Sequence, residues 1–104
     1  MKIVAVTACP SGVAHTYMAA EALERAAKKR GIQIKVETQG SIGIENEITQ
    51  KEADEADVVI LTKDMTIKNT HRFAKKPVVY VGVSDAIRKA DAIMDKLLEK
   101  FKKD

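Results

Sequence analysis

Apolar runs and amphipathic stretches alternate along this chain. Residues 3–6, I-V-A-V, are continuously apolar and give way to small polar residues, which predicts a strand buried on both faces and central in a parallel sheet. Over residues 13–30, Met18, Ala19, Ala22, Leu23, Ala26 and Ala27 form one stripe, and Glu21, Glu24, Arg25, Lys28 and Lys29 form the other. That period is helical. Gly31 follows a basic last turn and predicts a left-handed cap. Residues 32–39 then alternate Ile34, Val36 and Thr38 with Lys35, Glu37 and Gln39, predicting a strand with one wetter face at or near a sheet edge.

Gly40-Ser41-Ile42-Gly43 breaks the alternation and reads as a turn. Thr49 and Glu52 match a capping box that opens a short helix through about Glu55. Residues 58–61, V-V-I-L, predict a further buried strand. The segment 63–76 has no clear period, and Phe73 offers an apolar anchor for a short helix around residues 70–74. Residues 78–83 predict the fourth strand. Ser84 or Asp85 is expected to cap a final helix carrying Ile87, Ala90, Met94, Leu97, Leu98 and Phe101 on one face. Alternating strands and helices with right-handed crossovers predict an α/β fold: a three-layer α/β/α sandwich on a four-stranded parallel sheet of order 2-1-3-4. Such a fold is Rossmann-like, in the manner of the low-molecular-weight phosphatases. A ligand is expected beyond the carboxyl end of the first strand, where the winding reverses.

With 104 residues, the chain is expected to form a single domain with an adequate core. Its net charge of +3 comes from interleaved lysines, arginines and acids, and aromatic residues are scarce. Both features argue against a nucleic-acid partner. Lys28, Lys29 and Arg30, and likewise Lys100, Lys102 and Lys103, read as cations complementing helix C-termini. One cysteine makes no internal disulfide, so a cytoplasmic location is expected. The apolar start is too short for a signal peptide or a membrane span, so no membrane insertion is expected.

That cysteine, Cys9, falls where the chain leaves the first strand. Pro10, Ser11 and Gly12 follow, and then Val13, Ala14, His15 and Thr16 begin the long helix. A helix N-terminus binds anions and favours a thiolate. Gly12 permits close backbone approach, and the amides from about Ser11 to His15 are placed to converge on phosphate. A buried structural cysteine would fit better inside the strand. The expected catalytic residue is Cys9, with Pro10, Ser11, Gly12, Val13, Ala14, His15 and Thr16 as the phosphate-binding loop. His15 reads equally as a phosphate ligand or an exposed first-turn residue, and Thr16 and Ser11 are similarly open. His71 reads as an exposed structural residue. Neither a metal nor a cofactor is expected, because two separated histidines and one cysteine lack zinc-site spacing.

C-P-S-G-V-A-H-T-Y-M-A-A-E-A-L, from Cys9 to Leu23, resembles the signature of fructose-specific enzyme IIB components of the bacterial phosphoenolpyruvate-dependent sugar phosphotransferase system. E-T-Q-G-S-I-G, from Glu37 to Gly43, resembles the second motif of that family, and A-D-V-V-I-L with Arg72 and Phe73 fits its middle. The resemblance implies a phosphoryl relay. A phosphohistidine on a IIA protein supplies the group, the residue matching Cys9 holds it as phosphocysteine, and a sugar bound by the membrane IIC permease receives it. Ser11 and Tyr17 stand where many relatives have Thr and Phe, and many relatives carry this domain fused to IIA or IIC segments.

Three alternatives remain at the level of sequence. A low-molecular-weight thiol phosphatase or arsenate reductase has the same topology, but its loop carries an arginine after five residues. Here His15 and Thr16 occupy those positions, and no Asp-Pro pair supplies a general acid. A receiver-like binding module needs acidic residues after the first strand, where this chain has Thr7-Ala8-Cys9-Pro10. The third is a regulatory module whose phosphocysteine serves only as a signal.

Overall fold

The computed structural model describes residues 1–10 and 13–101. Five strands form one sheet of order β3-β2-β1-β4-β5: β1 (Lys2–Thr7), β2 (Gln33–Gly40), β3 (Gly43–Glu45), β4 (Val58–Thr62) and β5 (Val78–Val81). β2, β1, β4 and β5 are parallel, with Ala5 of β1 level with Val36 of β2 and Ile60 of β4. They have the expected order, but the expected count of four strands is corrected to five. Gly40 pairs with Gly43 across a tight turn, and β3 returns antiparallel to β2. Gly43 has φ +110°, a backbone state open to glycine because it has no Cβ. The segment read as a plain turn is therefore a hairpin, and β3 rather than β2 forms that edge.

β1 is central and buried on both faces, as its unbroken apolar run requires. Ile3 and Ala5 join a cluster with α1 (Val13–Lys29), α3 (Val83–Arg88) and α4 (Ala90–Phe101), including Leu23, Met94 and Leu97. Val4 and Val6 face the other way, onto Ile48, Ala53 of α2 (Gln50–Glu55), Ile67 and Phe73. Helices thus cover both faces. Gly31, at φ +69°, follows α1. The capping box forms as expected: Thr49 Oγ1 accepts from the Glu52 N–H at 3.1 Å, and the Thr49 N–H donates to Glu52 Oε1 at 2.9 Å.

Two further expectations are corrected. The final helix is two helices, broken at Lys89 (φ −126°, ψ 28°), and Gly82 rather than Ser84 or Asp85 holds the N-cap position of α3. Ser84 and Asp85 lie inside the first turn, where Asp85 favours the positive helix end. The wetter face expected for β2 is dry toward its carboxyl end: Glu37 and Gln39 are buried, because the segments around Ile48 and from Lys68 to Arg72 fold over them. Within that cover, Thr70–Phe73 form a single 3-10 turn entered through Asn69 at φ 62°.

Candidate functional site

The carboxyl ends of β1, β2 and β4 converge at one end of the sheet, and two buried threonines fix how the chain leaves it. The Ala8 N–H donates to Thr62 Oγ1 at 3.0 Å, and that hydroxyl donates back to the Ala8 carbonyl at 3.2 Å. Thr7 Oγ1 donates to the Thr16 carbonyl at 3.1 Å, tying the strand end to the first turn of α1. Cys9 is held between these staples. It is half-buried and packs against the helix-covered cluster.

α1 opens at Val13 with no acidic residue in its first turn. Its leading amides lack intrahelical acceptors. Ser11 and Gly12, expected to complete the phosphate loop, lie outside the described residues, as does the side chain of Val13. Pro10, Ala14 and His15 are exposed, whereas Thr16 is buried and its hydroxyl has no hydrogen-bond partner among the described residues. An orphaned buried hydroxyl costs about 1–3 kcal/mol.

Two clefts flank Cys9. One, of about 270 Å³, runs between Cys9 and Pro10, the β2–β3 hairpin (Gly40, Ser41, Gly43) and the loop after β4 (Met65, Thr66, Lys68). The other, of about 370 Å³, brings Cys9 together with His15 and Met18 of α1, Asp64, and Ile87 and Arg88 of α3. Cys9 and His15 thus share one wall, while His71 is exposed in the 3-10 turn. Among the described residues no helix is long and apolar enough to cross a membrane.

The first cleft is built on a polar network that the sequence pattern does not reveal. Arg72 donates to Glu37 through both terminal nitrogens, at 2.7 and 3.1 Å, and also to the Ile48 and Asn69 carbonyls, each at 2.7 Å. Gln39 Nε2 donates to Glu37 at 2.8 Å and to the Lys68 carbonyl at 3.1 Å, while Gln39 Oε1 accepts from the Lys68 N–H at 2.9 Å. Burial alone raises the Glu37 pKa, but the hydrogen bonds from Arg72, Gln39 and the Ile48 N–H outweigh it and hold the carboxyl below its ordinary value. The signal available in sequence was an arginine beside an anchoring phenylalanine in a segment without period; the Arg72 guanidinium lies 4.7 Å from the Phe73 ring centroid. Thr62 had a signal too. Both central strands end their apolar run in threonine.

The family model described as PTS system, Lactose/Cellobiose specific IIB subunit matches residues 4–96. The PTS system fructose-like EIIB component 2 of Escherichia coli K12 is 67% identical over 96 residues, covering 92% of this chain and 91% of that protein. A crystal structure of a domain of the fructose-specific IIABC component of Borrelia burgdorferi superposes with a TM-score of 0.87 at 52% identity, covering 94% of this chain and 93% of that one. The YwlE arginine phosphatase, solved as a mutant with a phosphorylated active-site serine, shares the fold alone: its TM-score is 0.55 at 13% identity, over 100% of this chain and 97% of that one. The sheet, the strand-end cysteine and these matches agree, and the chain belongs to the IIB family of the sugar phosphotransferase system.

Proposed function

We propose that this chain, acting as one IIB domain over residues 1–104, carries phosphoryl groups on Cys9 in the uptake of a sugar of the fructose type. The observation that carries the reading is the placement of Cys9: half-buried, pinned behind Thr62 and directly ahead of the α1 N-terminus. The Cys9 thiolate attacks the phosphorus of a IIA phosphohistidine. The S–P bond forms as the N–P bond breaks, and the electron pair stays on the imidazole nitrogen. A hydroxyl of a sugar held by the membrane IIC permease then attacks the same phosphorus. The S–P bond breaks, the thiolate is restored, and the hydroxyl proton leaves to solvent or a base of the permease. Covalent capture divides one displacement into two, and backbone N–H groups from Ser11 to His15 stabilise the transferring charge without a metal or cofactor. The orphaned Thr16 hydroxyl supports a place for Thr16 in the same cradle. Fructose is favoured by the names of the relatives, and a cytoplasmic location, against the permease, follows from the partners.

The test is labelling by phosphorylated IIA, with mapping of the labelled residue and sugar phosphorylation by membranes that contain IIC. Label is expected on Cys9, and Cys9→Ser is expected to abolish sugar phosphorylation. Phosphate recovered on a histidine, with Cys9→Ser still active, overturns the reading.

A further inference from the structure

We propose that Lys68 supplies the cation that meets the phosphoryl group at Cys9, an assignment that rests on Cys9 being the phosphorylated residue. The loop offers neither a lysine nor an arginine: Pro10, Ser11, Gly12, Val13 and Ala14 are all uncharged, and His15 and Thr16 follow them. Transfer through a loose phosphoryl transition state leaves negative charge on three equatorial oxygens, and backbone amides meet it only with partial charges. Lys68 lines the same cleft as Cys9, and these two are the only ionisable side chains among its described lining residues. The opposite cleft also contains a cation, Arg88, but Asp64 lines the same space, which reduces the net field on an anion.

How Lys68 is held strengthens the assignment. It lies in the segment without period, yet its N–H and carbonyl are both bound by the buried Gln39 amide, at 2.9 and 3.1 Å. Arg72 adds a longer contact to the same carbonyl at 3.4 Å. Gln39 is fixed by Glu37, and Glu37 by Arg72. Among the described residues, the hydrogen bonds of Lys68 run through its main chain, and its exposed side chain is not paired with a carboxylate there. A buried ion pair is an expensive way to stabilise a loop. Here its product is one fixed main-chain position for a lysine that lines the Cys9 cleft. A lysine suits a relay, because a point charge follows the phosphoryl group without the bidentate grip of an arginine.

The experiment is single-turnover transfer of label from phosphorylated IIA to the chain and back. Lys68→Ala is expected to slow both directions by roughly tenfold or more, less than the roughly hundredfold or greater loss of a donor in a water-excluded site because Lys68 is exposed, with end-point labelling of Cys9 and the thermal midpoint unchanged. Lys68→Arg is expected to keep most of the rate, and added ethylammonium to restore part of it in Lys68→Ala but not in the parent chain. Transfer to Cys9 within twofold of the parent rate in Lys68→Ala overturns the proposal and leaves the phosphocysteine standing, as does a slowed rate that neither arginine nor ethylammonium restores. Label persisting in Cys9→Ser overturns the phosphocysteine itself, and the role of Lys68 with it.

Discussion

On one face of the sheet, Ile3, Ala5, Val58 and Ile60 meet Leu23 and Ala27 of α1, Ala86 of α3, and Met94 and Leu97 of α4 in a largely aliphatic layer. On the other face, Val4, Val6, Val59 and Leu61 meet a six-residue helix and a 3-10 turn, and the buried Glu37–Arg72 pair closes what they leave open. The first face derives its order from repetition, since every helical turn adds another apolar side chain to the same stripe. The second has too little regular structure for that. Its cover is located by directed hydrogen bonds, and those bonds end at Lys68 and the Cys9 cleft. The face that is harder to build shapes the cleft that Lys68 lines, while the helical face holds Cys9 and the α1 N-terminus.

The strongest way to break this contrast is Arg72→Ala. It leaves the Glu37 carboxylate, fully shielded from solvent, without its partner, which costs about 3–5 kcal/mol. The loss is expected as a lower urea midpoint. Replacing both members, with Glu37→Leu and Arg72→Met, removes the charge imbalance and is expected to recover most of that stability while releasing the Lys68 segment. If the double variant is as unstable as Arg72→Ala, the pair is a source of stability rather than a locating device. On the aliphatic face, Leu23→Ala is expected to cost about 3 kcal/mol through lost burial and a cavity. That variant should keep its rate of transfer to Cys9, because no directed bond to the site is touched; equal losses of transfer in both variants would erase the distinction between the faces.

The same division governs what was legible in the sequence. β1, α1, its glycine cap and the Thr49–Glu52 capping box are local patterns, and the structure contains each of them. Cys9 was legible because its position depends only on a strand end followed at once by a helix. Glu37 and Gln39 were misjudged as solvent-facing because alternation reports which residues share a face, not what covers it. Their cover is Arg72 and Lys68, roughly thirty residues away in sequence. β3 escaped notice because three residues are too few to show a period of two, and its identity depends on pairing with Gln39 and Thr38. The break at Lys89 left the apolar stripe of the last helices intact, so periodicity passed over it.

Acid provides the gentlest probe of the two faces. Glu37 loses the most from burial, but the hydrogen bonds from Arg72, Gln39 and the Ile48 N–H more than compensate and hold its folded pKa below the ordinary carboxylate value. The folded chain therefore binds this proton less readily than the unfolded chain, whose glutamates titrate near about 4.3. The resulting stability is fully present above that pH and is lost as the pH falls through the lower folded value. Between pH 7 and pH 5 the pair is expected to contribute no pH dependence, and below about pH 4 the parent chain should weaken. Leu23→Ala should follow the same acid profile from a lower starting point, whereas the Glu37→Leu and Arg72→Met double variant should show a shallower one. Urea midpoints measured from pH 7 to pH 3 decide the matter: identical acid slopes for parent and double variant would place the acid sensitivity outside the polar face.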